Sequence, residues 1–286
     1  MLTSSLATLI HIAALIALAP NQQQGGRPRD AAPNEATAER SEACERFYHV
    51  VRALPSSCLA PIDTDRPHQT DTPHVVDPGH VQFESAVVQF EANTLRKSGE
   101  RSLILGDNLY KVGLVNGVDL QMFYTTYVRE GSTSSFGDTI AFRAKFQVWG
   151  TNRSTSSLAL VPLVILPLKA AGTVEGGAQA FFGRELPVEL DWELNLGAVT
   201  QTFNGKRRAL PIASTALTHE VVEDLAIFGE ARETSSDGDL RVWDTYLDTG
   251  LLYHITRDIQ VDAGGYFGVT GNAPAMTVFT GFSVRQ

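Results

Sequence analysis

Long hydrophobic runs are scarce in this chain of 286 residues. A helical membrane protein needs repeated apolar stretches of about twenty residues, and only residues 6–19 approach that length. Basic charge is also scarce, since 23 Lys and Arg stand against 32 Asp and Glu and the net charge is −9. Because no basic stripe is available to release counterions from phosphates, the sequence excludes nucleic acid as a partner.

The apolar stretch at the N-terminus ends in small residues, Ala17-Leu18-Ala19, as a secretory signal does. We therefore expect residues 1–19 to be a signal peptide. A retained N-terminal anchor is the alternative, because no Lys or Arg precedes the run. Residues 20–80 are rich in Gln, Ala, Pro, Asp and His, a composition that predicts an irregular leader in the periplasm.

Cysteine is limited to Cys44 and Cys58. An oxidising compartment would favour a disulfide between them, and two unpaired thiols are the alternative. The sequence has no Cys-x-x-Cys spacing for zinc. His68, His74 and His80 recur every six residues, but a proline-broken segment does not predict the convergent ligands and supporting contacts that a metal site needs. The sequence therefore predicts neither a metal nor a cofactor.

From residue 81 to the end, apolar and polar residues alternate in stretches of about ten, which is typical of transmembrane β-strands. In residues 118–124, for example, Val, Leu, Met and Tyr alternate with Asp119 and Gln121. The predicted strands are 81–91, 102–114, 118–129, 138–149, 157–168, 179–190, 192–203, 209–219, 223–232, 242–254, 259–269 and 275–285. The split near Asp191 is the weakest boundary, so ten strands are the alternative to twelve.

The connections between the predicted strands alternate in length. Asn116-Gly117 is a tight-hairpin signal, whereas residues 129–137 and 233–238 form longer polar loops. Short turns on one side and long loops on the other are the pattern of bacterial outer-membrane barrels. The sequence therefore predicts an all-β fold, a closed antiparallel barrel of about twelve strands over residues 81–286, in the outer membrane.

Several short motifs, taken in order, resemble those of an outer-membrane transporter family. They are Thr64-Asp65-Arg66-Pro67, Pro78-Gly79-His80, Gln82-x-Glu84, Leu109-Tyr110-Lys111-Val112-Gly113-Leu114, Phe228-Gly229-Glu230, Leu247-Asp248-Thr249-Gly250-Leu251 and Gln260-Val261-Asp262-Ala263-Gly264. The family is the one described as "Putative MetA-pathway of phenol degradation", and the likeness covers residues 62–286.

The resemblance implies a barrel that transports small solutes, with hydrophobic or aromatic compounds suggested by the family label. It also implies two partners, outer-membrane lipid and the barrel-assembly machinery. That machinery reads an aromatic C-terminal residue in most such barrels, whereas this chain ends Val284-Arg285-Gln286.

The polar faces of the predicted strands carry charges of both signs, which we expect to line the lumen. The candidates are Glu84, Lys111, Asp119, Arg143, Lys145, Glu193, Glu230, Arg232, Asp244, Asp248 and Asp262. Unpaired buried ions cost several kcal/mol, so this set predicts either a structural salt-bridge ladder or a polar constriction that selects solutes. We expect Glu84 to approach Arg143 or Lys145 across the interior.

Three functions are compatible with a barrel of this size. The first is a channel or transporter for small solutes, and the second is a closed structural barrel whose loops bind partners. The third is an outer-membrane enzyme like the phospholipase barrel, which would need a Ser nucleophile beside a His in a His-x-Ser arrangement. His219 is followed by Glu220-Val221 and His254 by Ile255-Thr256, so the sequence does not predict an enzyme.

Overall fold

The computed structural model describes residues 44, 46–92, 101–170, 172–203, 205–235, 243–270, 273 and 275–286. The predicted signal peptide, residues 1–19, lies outside this part of the chain. Before the first strand, the described residues form irregular backbone with one turn of 3-10 helix, Ser56–Cys58. No helix among the described residues is long and apolar enough to cross a membrane.

Antiparallel strands make up nearly all of the rest. They are β1 (Val81–Ala92), β2 (Arg101–Val115), β3 (Val118–Glu130), β4 (Thr133–Phe136), β5 (Thr139–Trp149), β6 (Ser156–Pro167), β7 (Glu175–Leu186), β8 (Leu190–Phe203), β9 (Lys206–Val222), β10 (Leu225–Ser235), β11 (Trp243–Thr256), β12 (Ile259–Gly268) and β13 (Met276–Arg285).

The sheet closes on itself. Strands pair with their neighbours in the chain, and the last strand pairs with the first, with Phe83 of β1 opposite Val284 of β13. β4 continues the ladder along β3 beyond the end of β5, so these two pieces occupy one position in the ring. The result is the predicted all-β closed barrel, with twelve strand positions. Closure pairs the backbone groups that an open edge would expose to lipid.

Several connections differ from the sequence-based prediction. The turn predicted at residues 220–222 lies at 223–224, because β9 extends to Val222. The predicted break at Asp191 is instead a turn at residues 187–189, where Val188 and Glu189 adopt φ of 66° and 56°. Non-glycine residues seldom adopt positive φ, so the composition of this segment did not mark it as the turn. The predicted loop 129–137 contains β4, because its Ser and Thr residues extend the hairpin ladder along β3.

The barrel has two distinct ends. We call one the turn end, because it carries the short connections at 116–117, 187–189, 223–224 and 257–258 together with residues 150–155. The other, the loop end, carries the remaining connections, four of which span six residues or more: 93–100, 168–174, 236–242 and 269–275. β1 starts and β13 finishes at the turn end.

The outer face of the barrel is apolar around its circumference. Exposed large side chains on it include Leu120, Phe142, Leu160, Leu196, Leu217, Ile227, Leu247, Leu251, Phe267 and Val278. Water-soluble monomers rarely expose contiguous apolar surface of this extent, whereas lipid-facing barrels carry such a belt with aromatic girdles. Near the turn end, Phe182 packs against both Trp149 and Trp192, as in a girdle.

Candidate functional site

Residues 61–77 occupy the interior of the barrel, and we call this segment the plug. It enters at the turn end, where the Ile62 amide donates to the Arg257 carbonyl at 2.7 Å. It leaves at the same end, on the other side of the ring of strands, where the Val76 amide donates to Asp119 Oδ2 on β3 at 3.0 Å. The sequence analysis expected an irregular leader in the periplasm. The segment is irregular, but its packing against inward-facing ions places it inside the barrel.

Asp65 of the plug lies at the centre of the lumen charges. Its carboxylate contacts Nζ of Lys111 at 2.8 Å, a guanidinium nitrogen of Arg143 at 2.8 Å and Nζ of Lys145 at 2.9 Å. These cations come from β2 and β5, and the Asp65 side chain is 1% exposed. Burial alone would raise the pKa of Asp65, but attraction to the three cations outweighs burial and holds the pKa well below its usual range.

Glu84 does not pair with Arg143 or Lys145 as predicted. Its carboxylate instead forms an ion pair with Lys111 on the neighbouring strand and accepts a hydrogen bond from Gln82 Nε2 at 2.8 Å. The prediction was wrong because Asp65 stands between the two sides of the barrel. The Asp65 amide also donates to Glu84 Oε1, at 3.3 Å.

The cations of β5 hold the plug at further points. Arg143 donates to Asp71 Oδ2 at 2.5 Å and lies over the Phe123 ring, 4.5 Å from its centroid. Lys145 donates to the Thr72 carbonyl at 2.7 Å. Charge-assisted hydrogen bonds of this kind are about twice as strong as neutral ones, so Arg143 and Lys145 bind the plug firmly to β5.

The tip of the plug is bound to β10 and β12 midway along the barrel. Glu230 accepts hydrogen bonds from the Gln69 amide at 2.9 Å and from Thr70 Oγ1 at 2.6 Å. Tyr266 donates its hydroxyl to the Pro67 carbonyl at 3.1 Å. The plug therefore contacts both sides of the barrel wall, at β2 and β5 on one side and at β10 and β12 on the other.

Two more lumen candidates pair with plug residues. Asp262 on β12 accepts from Arg66 at 2.7 and 3.3 Å, and Glu193 on β8 lies 3.3 Å from Nε2 of His68. The six-residue histidine spacing has no common purpose in the structure. His74 pairs with Asp63, and His80 contacts the Leu54 carbonyl, so the histidines serve separate contacts.

The remaining three candidates lie on β10 and β11. Arg232 lies 3.9 Å from Asp248 and 4.1 Å from the centroid of the Tyr246 ring. Asp244, further toward the loop end, is buried opposite Thr234. The structure thus divides the eleven predicted lumen residues into eight that contact the plug and three beside it on β10 and β11. Of these three, Asp248 lies at the depth of the plug tip, opposite Glu230.

Residues 46–60 cover part of the turn end. The Val50 amide donates to the Leu114 carbonyl at 2.7 Å, and the Leu54 amide donates to the Pro78 carbonyl at 2.9 Å. Cys44 and Cys58 form a disulfide, which settles the alternative left open by the sequence. This bond lies beside a small apolar cluster that includes Tyr48 and Leu54, so the entry to the plug is anchored to the barrel rim.

A cavity of about 580 Å³ remains beside the plug at the turn end, and we call it the vestibule. It is lined by plug residues Asp63 and His74 and by wall residues that include Ser157, Asp191 and Glu193. Burial alone would raise the pKa of Asp63, but the neighbouring His74 outweighs burial and lowers the pKa. Asp63 is therefore ionised at neutral pH, and it pairs with His74 at the edge of the cavity.

Sequence reasoning identified the wall ions but missed their partners in the plug. Asp65 and Arg66 lie in a Pro-rich stretch without periodicity, so no strand pattern marked them as inward-facing. One signal could have revealed them. Lys111 faces inward on β2, and Arg143 and Lys145 face inward on β5, with only β3 between the two strands. Three buried cations this close need a carboxylate within reach. Asp65 supplies that carboxylate.

The barrel is similar to solved outer-membrane structures. NanC porin matches with a TM-score of 0.51 and 11% identity, over 72% of this chain and 99% of that chain. An anion-selective porin from Comamonas acidovorans has a TM-score of 0.37 and 10% identity, over 64% and 60% of the two chains. The β domain of the Bordetella autotransporter BrkA has a TM-score of 0.41 and 10% identity, over 72% and 97%. At 11% identity the likeness to NanC porin concerns the fold alone.

No curated protein sequence is significantly similar to the chain. A family model does match, over residues 64–286, and the match includes most of the plug as well as the whole barrel. The chain therefore belongs to the family described as "Putative MetA-pathway of phenol degradation".

Proposed function

We propose that the protein is a channel for small solutes in the outer membrane of a Gram-negative bacterium, held closed by its own N-terminal plug. Hydrophobic or aromatic compounds are the solute class that the family description suggests. The apolar outer face supports the membrane location. The Asp65 contacts support the gating role, because a single plug carboxylate joins cations of two strands and fixes the segment across the bore.

The contacts between the plug and the barrel wall are polar, which favours a plug that can move over one that is permanently packed in the interior. A dry interior packed with hydrophobic side chains would be closed permanently, whereas ion pairs and hydrogen bonds can be exchanged for water. The plug also enters and leaves at the same end of the barrel. It can therefore be displaced toward the turn end without breaking the strand ladder.

Planar-bilayer conductance of the refolded full-length protein tests this proposal. We expect the wild type to be mostly closed and Asp65→Asn to show more frequent or larger current, because the variant removes the charge that three cations share. Asp138→Asn is the matched control, since Asp138 forms an exposed ion pair with Lys169 at the loop end. The heat-dependent mobility of the folded band on a denaturing gel verifies that each barrel has assembled.

A second variant keeps the proposal testable if Asp65→Asn does not fold. Glu230→Gln weakens the contact with the plug tip from the opposite wall and should also raise the current. If both variants assemble and neither conducts, the alternative of a closed structural barrel whose loops bind partners is favoured. If the wild type already conducts as well as the variants, the plug does not close the bore and the proposal is wrong.

A further inference from the structure

Carboxylates outnumber guanidinium groups in the lining of the vestibule. Its lining includes six carboxylates and three guanidinium groups, and Arg66 is already paired with Asp262 at 2.7 Å. Asp191 on β8 lies opposite Glu185 on β7 in the strand register, so two carboxylates face each other across neighbouring strands. A site of this polarity attracts cations and repels anions.

The opposite side of the vestibule carries apolar residues beside the polar side chains of His254 and Gln260. Ile62 of the plug, Leu225 of β10 and Leu252 of β11 contribute to its lining. Ligand sites commonly combine such apolar surface with a few polar groups that fix orientation. A molecule that fits both sides has a cationic head and a compact apolar body, and a volume of about 580 Å³ accommodates a small organic compound.

A buried hydroxyl group gives an independent indication of a ligand. Ser157 on β6 lines the vestibule and is 1% exposed, yet its Oγ has no hydrogen-bond partner in the structure. Its strand partner Gly183 faces the same side, since a Cβ on Gly183 would meet Pro73 of the plug. Buried polar groups are normally satisfied, and the N–H groups of a bound ammonium could satisfy this one.

We propose that the vestibule is a binding site for small organic cations, in which an ammonium group is held by Asp191, Glu193 and Ser157 while the apolar body packs on the opposite side. The site opens at the turn end, because residues of three turns line it, namely Asn152, Asp224 and Arg257. Binding there leaves the Asp65 contacts of the plug in place, and only Pro73, which packs over Gly183 beside Ser157, has to shift for an ammonium group to reach the hydroxyl. Binding is therefore independent of whether the barrel conducts.

Three probes of nearly equal size separate charge from shape: benzylamine, benzyl alcohol and benzoate. Calorimetric titration of the detergent-solubilised full-length protein should show that benzylamine binds at least about tenfold more tightly than the neutral alcohol, as expected for hydrogen bonds to charged groups. Benzoate should bind most weakly. Equal affinity for the three compounds, or no benzylamine binding to the folded barrel, would overturn the proposal.

Two variants locate the site. Asp191→Asn should weaken benzylamine binding about tenfold, and Ser157→Ala should weaken it by a smaller factor without changing the preference for the cation. Glu223→Gln is the matched control, because Glu223 is an exposed carboxylate of the β9–β10 turn that does not line the vestibule. Unchanged affinity in a folded Asp191→Asn barrel would show that benzylamine binds elsewhere.

Discussion

The Nζ of Lys145 lies 2.9 Å from Oδ1 of Asp65, although eighty positions separate the two residues in the chain. One residue belongs to an irregular segment and the other to the centre of a barrel strand. Both side chains are almost completely buried, at 0% and 1% exposed. Ions buried this deeply are tolerated only when they are paired, so the contact ties the position of the plug to the assembly of the barrel.

Replacing Lys145 should loosen the plug without preventing barrel closure. In Lys145→Met, Asp65 keeps two cations but loses the third, and the Thr72 carbonyl loses its donor. We expect a loss of about 1–3 kcal/mol in the free energy of unfolding, the cost of leaving buried groups unsatisfied. Urea titration of the folded barrel measures this loss.

Lys169→Met is the control for that experiment. Lys169 forms an ion pair with Asp138 in which both side chains are more than half exposed. Exposed pairs contribute about 0–1 kcal/mol, so this variant should unfold close to the wild type. An equal effect at the two lysines would contradict the buried network.

A methyl group at Gly113 should displace the plug from β2. A Cβ there would meet the carbonyl oxygens of Val76 and Asp77, where the plug leaves the barrel. In Gly113→Ala we therefore expect faster proteolytic cleavage within residues 61–77 of the otherwise folded protein. Gly229→Ala is the matched control, because a Cβ at this strand glycine meets nothing within 4 Å. Equal cleavage rates in the two variants would mean that the close approach at Gly113 does not matter.

The depth of a substitution on the outer face should determine its effect on assembly. Leu196 is exposed near the middle of β8, and Arg at that depth costs about 2–4 kcal/mol on a barrel's lipid face. Val221 is exposed near the turn end of β9, where Arg can reach water and costs about 0–1 kcal/mol. The yield of folded protein in lipid vesicles should fall for Leu196→Arg and stay near the wild type for Val221→Arg. Similar yields would exclude a lipid-facing belt at Leu196.

The contact between His74 and Asp63 should make the plug sensitive to high pH. Burial alone would lower the pKa of His74, but the Asp63 carboxylate outweighs burial and raises the pKa. A histidine whose pKa is raised by folding contributes stability that is complete below its unfolded pKa of about 6.5. That stability is lost as the pH rises through the folded pKa.

Unfolding titrations between pH 5 and 9 measure this dependence, where the range is set by the ordinary titration of histidine. We expect the wild type to lose stability as the pH rises, and His74→Gln to show a flatter profile. His219→Gln, at an exposed position of β9, should keep the slope of the wild type. An unchanged slope in His74→Gln would assign the pH dependence to other groups.

Much of the barrel could be predicted because its physics is local. Alternation of period two selects the inward face in each strand, so Glu84, Asp119 and Asp262 could be assigned to the lumen from neighbouring residues alone. The boundary between β7 and β8 could not be predicted in this way, because its turn uses Val188 and Glu189 at positive φ in place of the usual turn residues.

The sequence by itself determined the closed sheet, since alternating apolar and polar residues are stable in lipid only when every strand edge is paired. Only the tertiary structure decided what fills that sheet. The plug has no periodicity, and its position follows from long-range pairing such as that of Asp65 with Lys145 and of Arg66 with Asp262. Such pairs form because isolated ions cannot be buried, and their partners become known only when the strands that carry them are brought around the same interior.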